Sequence, residues 1–181
     1  MKLSAQWIRD FVDLTVDNDR LAEALTNVGI SVEGISGSGA DTVFEMEIGT
    51  NRPDAMNHYG VAREAAAIYD APLKAIDTGR GTASAVPLSS PKTAASAAEV
   101  SFPITVEEPQ LCPRFSARVI RNTKIKPSPE NVAHRLQLLD QRPISNAVDA
   151  TNYVLWDIGK PTHVFDADLL EGNQIIVRKA R

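Results

Sequence analysis

The segment 142–166, RPISNAVDATNYVLWDIGKPTHVFD, holds the residues of this chain that are best suited to chemistry. It combines a guanidinium (Arg142), an amide (Asn152) and a phenol (Tyr153) with the imidazole of His163, and a carboxylate follows three residues later. Such groups can hold a polar ligand, orient a water molecule or hydrogen-bond a carbonyl. The segment has no activated nucleophile, metal cage or phosphate loop, so it predicts one wall of a binding site whose other wall lies elsewhere.

His163 is the most constrained of these candidates. It follows GKPT (159–162), in which a proline fixes the direction of the chain. On residue chemistry alone, a histidine that is simply hydrogen-bonded is favoured over one that acts on a ligand. The other histidines, His58 and His134, give no metal-ligand spacing with it or with the single cysteine, and we predict no metal site. The patterns GxGxxG, GxxxxGK[ST] and GxSxG do not occur.

Other polar features of the sequence favour structural roles. The sequence NRPD (51–54) could bind an anion through Arg52, but Asn, Pro and Asp are also what a turn and a helix cap require. His58 is expected at the surface or as a cap, and Cys112 as a small buried hydrophobe. A basic edge stays open between two interpretations, solvation and contact with phosphates. Its residues are Arg114, Arg118, Arg121, Lys124 and Lys126.

Composition limits the classes of function. With 181 residues, 43% of them hydrophobic, the chain suits one large or two small globular domains. Its net charge of −4 leaves only a local patch or a partner subunit to contact nucleic acid. Apolar runs are too short for a membrane span, and the N-terminus lacks the apolar core of a signal peptide. A single cysteine fits a reducing, cytoplasmic compartment.

One change of composition divides the chain. Residues 78–100 consist mainly of Ser, Ala, Thr, Gly and Pro, which is typical of a linker or a long surface loop. We therefore predict an N-terminal α+β domain over 1–77, a linker over 78–100 and a second domain over 101–181. Helices and strands are mixed without a regular alternation, so the predicted fold class is α+β.

The elements of the first domain follow from periodicity and caps. A helix is predicted after Ser4, and another over 19–28, stopped by Gly29. Strands over 30–35 and 43–48 alternate apolar and polar residues and are expected to pair across GSGAD. A third helix follows NRPD, capped by Asp54 or Asn57, with Val61, Ala65, Ile68 and Tyr69 on its apolar face.

The second domain is predicted in the same way. Strands are expected over 101–106, 115–120, 162–165 and 175–178. One helix should cover 129–139, with Ser128 as its cap and Pro129 in its first turn, and another should cover 146–156.

At this point the sequence resembles a known family. MKLSAQWIRDFVDL, LAEALTNVGISVEGI and FEMEIGTNRPDAMNHYGVAREAAAIYDAPL are similar, in that order, to the N-terminal domain of the bacterial phenylalanyl-tRNA synthetase beta subunit. The later run CPRFSARVI…RLQLLDQRPISNAVDATNYVLWDIGKPTHVFD resembles the first half of the editing domain of that subunit. The resemblance covers nearly the whole chain outside the linker. It implies a small helix–strand domain joined to half of a mixed α+β editing domain.

The resemblance implies a part in charging tRNA. The family ligates phenylalanine to its tRNA with ATP and magnesium, as a tetramer of two alpha and two beta chains. Synthesis takes place in the alpha subunit, so this piece should carry no catalytic residue for aminoacylation and bind neither ATP nor magnesium. The beta subunit gives support, tRNA contacts and a pocket that hydrolyses mischarged tyrosyl-tRNA. Matched residue by residue, Arg142 and His163 fall on the editing arginine and histidine, and Asn152 and Tyr153 on an element expected to shape the pocket floor.

The sequence departs from the family in two places. GSGAD stands where bacterial beta subunits carry an inserted oligonucleotide-binding fold, and the chain ends at Arg181, before the second half of the editing domain. We therefore expect a piece of a longer subunit that is inactive alone in aminoacylation and in editing. Two alternatives stay open. One is a free-standing hydrolase of mischarged tRNA that takes its missing acid from another chain, and the other is a protein-interaction module.

Overall fold

The computed structural model describes residues 1–76 and 102–180, and the predicted linker lies outside the described residues. Helices and strands occur together in the described residues, which confirms the α+β class. The helices are α1 (Ala5–Arg9), α2 (Asn18–Asn27), α3 (His58–Ile68), α4 (Glu130–Leu138) and α5 (Asn146–Ile158). The strands are β1 (Lys2–Ser4), β2 (Ser31–Ser36), β3 (Val43–Glu47), β4 (Ile104–Val106) and β5 (Ile175–Val177). No helix within the described residues is long and apolar enough to cross a bilayer.

The described residues form two compact units. The first contains 1–76 and 125–164, and the second contains 102–124 and 165–180. In space, α4 and α5 therefore belong with the N-terminal segment, although they lie beyond the linker in sequence. The predicted domains 1–77 and 101–181 divide the chain by sequence, whereas the two units divide it by spatial contacts. The predicted boundaries therefore stay a prediction.

The first unit is built on a three-stranded antiparallel sheet in the order β1–β3–β2. Phe44 on the central strand stands opposite Leu3 on one side and Ile35 on the other. The predicted pairing of the strands that flank GSGAD is thus confirmed. β1 was missed, because a strand of three residues is too short to show alternation.

Side-chain caps set where the helices of the first unit begin. Ser4, Asp17, Asn57 and Ser145 each accept a hydrogen bond from the backbone N–H three residues further on. The predicted caps at Ser4 and Asn57 are confirmed. Each of these bonds satisfies one of the N–H groups that a helix leaves unpaired in its first turn.

The predicted cap of α4 is wrong. Pro129 precedes the helix and makes no side-chain cap, so the helix begins at Glu130. Ser128 lies one residue outside the cap position, and its hydroxyl donates to the carboxylate of Asp149 at 2.5 Å. The Ser128 side chain therefore makes a tertiary contact with α5 in place of a local cap.

The core of the first unit lies between its sheet and its helices. Each large apolar side chain in it contributes about 1.5–3 kcal/mol by leaving water. Trp156 of α5 packs against this core, so α5 is an integral part of the unit. The buried side chains include Leu3, Ile8, Val12, Leu21, Leu25, Ile30, Phe44, Met46, Val61 and Ala65.

The second unit is described by a two-stranded parallel sheet of β4 and β5, in which Ile104 stands opposite Ile175. None of its described residues is buried. The strand predicted over 115–120 is wrong, and so is the strand over 162–165, since both stretches lack regular structure. An alternating pattern becomes a strand only where another strand accepts its backbone hydrogen bonds.

Candidate functional site

Arg142 lies on a short loop that joins α4 to α5. The loop leaves α4 through Asp140, whose φ of 58° is left-handed, and the N–H of Gln141 donates to Leu136 O at 2.9 Å. It reaches α5 through Ile144, whose N–H donates to the carboxylate of Asp149 at 2.9 Å. The Arg142 side chain is exposed between these two anchors. A tethered loop thus presents a guanidinium to solvent.

Asp149 is the residue that holds this loop, and sequence reasoning missed it. It is fully buried in the first part of α5. One carboxylate oxygen accepts from the N–H of Ile144 and the other from the hydroxyl of Ser128. A second link joins the same two stretches, since the N–H of Asn146 donates to Lys126 O at 2.9 Å. The carboxylate therefore accepts the hydrogen bonds of two donors, the Ser128 hydroxyl and the Ile144 N–H, that come from separate parts of the chain.

Tyr153 lies on α5 and faces the N-terminal segment. Its hydroxyl accepts from Nη1 of Arg135 at 2.7 Å, and its ring lies 4.4 Å from that of Trp7. Burial raises the pKa of the Tyr153 hydroxyl, and the Arg135 charge opposes that shift. Asn152 precedes it on the same helix and is half-buried.

Trp7 is the centre of a cluster that joins the N-terminal segment to α4 and α5. Its ring stacks on that of His58 at 4.1 Å, and the guanidinium of Arg135 lies 5.1 Å from its centroid. Its Nε1–H donates to Asp157 of α5 at 2.6 Å. Arg135 also donates to the carboxylate of Asp10. Stacking, a cation–π contact and a charge-assisted hydrogen bond therefore meet on one buried indole.

His58 is buried in this cluster, and the prediction of a surface or capping role is wrong. Its Nε2 accepts from the N–H of Ser4 at 2.9 Å, so the proton must sit on Nδ1, which lies 2.6 Å from Trp156 O and donates to it. Burial lowers the pKa of His58 to about 3, which keeps the ring neutral at pH 7. The signal was present in the sequence, because His58, Val61 and Ala65 stand on one helical face.

Asp157 carries the one carboxylate of α5 that contacts Trp7. Burial raises the pKa of Asp157, and the hydrogen bond from Trp7 opposes that shift. Because a half-buried carboxylate costs solvation free energy, the indole donor and the nearby charge of Arg135 together offset that cost.

His163 lies on the loop that follows α5. The helix ends at Gly159, which has a left-handed φ of 71°. A Cβ atom at Gly159 would lie 2.6 Å from Nδ2 of Asn57, the residue that caps α3. The end of α5 thus packs closely against the start of α3. His163 lies four residues after Gly159, and its side chain is exposed.

The structure places the four candidates at three different positions. Arg142 and His163 are exposed on loops at opposite ends of α5, a 13-residue helix that is about 20 Å long. Tyr153 is held by Trp7 and Arg135, and Asn152 lies beside it on the helix. The helix α5 is therefore the common support of all four.

Two open depressions occur near this support. One, of about 440 Å³, is lined by residues from the start of the chain, β3, the α4–α5 loop and α5. Lys2 on its wall pairs with Asp140 at 2.8 Å and with Glu45 at 3.6 Å. A second one lies along α4 near His134. Neither depression is lined by any of the four candidates. Within the described residues no group of three His, Cys, Asp or Glu side chains could hold a metal ion, so no magnesium site is assigned.

Comparison with known proteins identifies one matching domain family and several similar proteins. Residues 111–181 match the B3/4 domain family. The phenylalanine–tRNA ligase beta subunit of Rhodopirellula baltica is 35% identical over 181 residues, which is 100% of this chain and 25% of the relative. The protein of the same name from Geobacter sulfurreducens is 43% identical over 143 residues, 77% of this chain and 16% of the relative.

A third relative from Anaeromyxobacter dehalogenans, also a phenylalanine–tRNA ligase beta subunit, is 40% identical over 141 residues, 78% of this chain and 16% of the relative. The chain thus spans a quarter or less of the length of these relatives. The resemblance expected from the sequence is confirmed: the chain is a homologue of part of the bacterial phenylalanine–tRNA ligase beta subunit.

Proposed function

We propose that the chain is a part of a phenylalanine–tRNA ligase beta subunit that supplies scaffold and one wall of a site for hydrolysing mischarged tyrosyl-tRNA. The observation that carries the proposal is the similarity to the Rhodopirellula baltica beta subunit over all 181 residues, together with the B3/4 match over 111–181. The full enzyme would charge tRNA with phenylalanine, using ATP and magnesium, in a complex with alpha subunits.

Arg142 and His163 are the proposed contacts to the mischarged end of the tRNA. A guanidinium on a tethered loop can hold a phosphate or a ribose hydroxyl through paired N–H groups. An exposed imidazole can orient the attacking water or hydrogen-bond a ribose hydroxyl. Ester hydrolysis also needs donors for the developing oxyanion, and these would come from other parts of the subunit.

Discrimination would depend on one hydroxyl group. Tyrosine differs from phenylalanine only by its phenol, and a pocket whose polar groups pair with that phenol rejects the side chain that lacks it. Asn152 and Tyr153 are proposed to act indirectly, because Tyr153 is already bonded to Arg135. They would shape α5, which supports the loops of Arg142 and His163.

A chimera tests this proposal. The chain would replace the matched segment of the Rhodopirellula baltica beta subunit, with which it aligns over its whole length. After co-expression with the alpha subunit, deacylation of tyrosyl-tRNA and charging with phenylalanine would be measured separately. We expect Arg142→Ala and His163→Ala to slow deacylation by about 10- to 100-fold, since one hydrogen bond to a charged group is worth about 1.5–3 kcal/mol, and to leave charging unchanged.

Matched controls are Arg20→Ala on α2 and His134→Ala on α4, which remove an exposed arginine and an exposed histidine elsewhere. Both controls should deacylate like the unmodified chimera. A chimera that charges tRNA and deacylates normally with both Arg142 and His163 removed would refute the site. The isolated chain should not deacylate tyrosyl-tRNA above the buffer rate, and deacylation by it would favour a free-standing hydrolase instead.

A further inference from the structure

Two ring side chains of the N-terminal segment hold the last turn of α5, the helix that leads into the loop of His163. His58 donates from Nδ1 to the carbonyl oxygen of Trp156 at 2.6 Å. A helix cannot pair the carbonyls of its last turn by itself, so this imidazole satisfies one of them from a distant part of the chain. Trp7 donates to the side chain of Asp157 in the same turn. The turn is therefore held both at its backbone and at a side chain.

Asn57 fixes the position at which α5 ends. Its Oδ1 accepts from the N–H of Gly60 at 2.7 Å, and its Nδ2 donates to the carbonyl oxygen of Asp54 at 3.1 Å. Because both ends of this buried amide are bonded, it cannot turn away from Gly159 without breaking a hydrogen bond. A Cβ at Gly159 would meet the same amide nitrogen, so the end of α5 has little room to shift toward α3.

The turn NRPD (51–54) supports this contact from below. Its arginine, a candidate for anion binding on sequence grounds, donates instead to the carboxylates of Asp54 and Glu64. A Cβ at Gly60 would lie 1.9 Å from the carbonyl oxygen of Asp54, so the turn packs directly on the first turn of α3. The turn therefore serves to place the amide of Asn57.

The chain between the end of α5 and His163 is short. His163 lies four residues after Gly159, and Pro161 between them fixes one backbone angle. A shift of the last turn of α5 is thus passed on to the imidazole. We propose that Asn57 and His58 are positioning residues for His163, through their hold on the last turn of α5. This inference rests on the proposed function, in which His163 contacts the mischarged end of the tRNA.

Two substitutions of His58 separate its bond to α5 from its bond to β1. In His58→Asn the amide nitrogen stands at the position of Nδ1, so the donor to Trp156 is kept and the acceptor for the N–H of Ser4 is lost. In His58→Gln the longer side chain reaches the position of Nε2, so the acceptor is kept and the donor is lost. Each variant loses the ring and one hydrogen bond, but only the glutamine variant releases the last turn of α5.

The first test uses the 181-residue chain without tRNA. With labelled histidine, NMR follows the ring signals of the three histidines, which His134→Gln and His163→Ala assign. In His58→Gln we expect the His163 signals to shift. Exchange of the Gly159 N–H, which donates to Leu155 O at 2.9 Å, should quicken about fivefold, as for the loss of one ordinary hydrogen bond. In His58→Asn both should stay close to those of the wild type.

The second test measures deacylation of tyrosyl-tRNA and charging with phenylalanine in the chimera. His58→Gln should slow deacylation about tenfold, since a displacement of about 1 Å can cost up to about 100-fold. His58→Asn should keep most of the rate, and charging should persist in both. Added to His163→Ala, His58→Gln should cause no further loss, whereas added to Arg142→Ala it should slow deacylation by the same factor as alone. A general loss of folded protein would instead act in every background.

A second perturbation covers the case in which His58→Gln does not fold. Gly159→Ala pushes the end of α5 against Asn57 while His58 stays intact, so it should also shift the His163 signals. Asn57→Ser shortens the opposing side chain and still caps α3, so in the double variant it should move these signals back toward the wild type.

The positioning role and the proposed function fail in different ways. Equal effects of the glutamine and asparagine variants on the His163 signals would overturn the positioning role, and so would a full loss by His58→Gln in the His163→Ala background. If the proposed function is wrong, His163→Ala deacylates at the rate of the unmodified chimera. The NMR comparison would then still decide whether Asn57 and His58 set the position of His163.

Discussion

Acid should destabilise the first unit through His58, because the folded protein holds this ring neutral. Its folded pKa is about 3, whereas an unperturbed histidine titrates near 6.5. Between these values the unfolded chain binds a proton that the folded chain does not, so stability is full above the unfolded pKa and falls as the pH drops. One proton is worth about 1.4 kcal/mol per pH unit, which gives a loss of about 2 kcal/mol between pH 6.5 and 5.

The assay is urea denaturation followed by tryptophan fluorescence at pH 7, 6 and 5. His58→Gln keeps a polar side chain that does not titrate, so the difference in unfolding free energy between the two proteins should shrink by about 2 kcal/mol over this range. His134→Gln should keep most of the pH dependence of the wild type, because the contact of this histidine with Asp41 is exposed to solvent. If the glutamine variant does not fold, an NMR titration of the wild type should show no protonation of His58 above pH 5. A His58 ring that titrates near 6.5, or an equal pH dependence in both proteins, would refute the reasoning.

Three further predictions concern the support of α5. Trp7→Phe removes the donor to Asp157, so it should cost about 2–3 kcal/mol of unfolding free energy in denaturant titrations; equal stability would show that the bond contributes nothing. Asp149→Ala should cost about 3 kcal/mol, because two part-buried donors lose their charged, buried acceptor. Hydrogen exchange at Ile144 should quicken in that variant, and an unchanged rate would argue against a tethered loop. Gly159→Ala should lower the thermal midpoint by several degrees, since it meets both a left-handed φ and the side chain of Asn57; an unchanged midpoint would mean that the contact relaxes without cost.

Local sequence patterns were sufficient to predict most elements of the N-terminal part of the first unit. The hairpin partners β2 and β3 alternate clearly, and α2 has four apolar residues at helical spacing and a glycine stop. The caps at Ser4 and Asn57 are also local, since each bond spans three residues. Such elements are predictable because their determining residues are close in sequence.

Contacts between residues that are far apart in sequence could not be predicted. Ser128 had the chemistry of a cap, but the helix begins one residue later than predicted, and the Ser128 hydroxyl donates to Asp149, 21 residues away. The stretch 115–120 had the pattern of a strand, but the described chain gives it no partner. The packing of α4 and α5 with the N-terminal segment depends on Trp7 meeting Tyr153 and Asp157, and no local pattern shows such a contact.

The candidate site was accessible to sequence reasoning only in its residue types. Arg142 and His163 were assigned to the site by the family resemblance, which identifies positions in the sequence but gives no distance between the side chains. That both lie on loops at the ends of α5, and that Asp149 tethers the loop of one of them, is visible only in the structure.

Deacylation rates of single and double variants at Arg142 and His163 test the central claim most directly. In the chimera, rates of tyrosyl-tRNA deacylation would be compared for Arg142→Ala, His163→Ala and the double variant. Because the two residues lie at opposite ends of α5 and would make separate contacts, their losses should multiply in the double variant, while charging with phenylalanine stays intact. A double variant that deacylates as fast as the unmodified chimera would contradict the proposal that the two loops of α5 form one wall of an editing site.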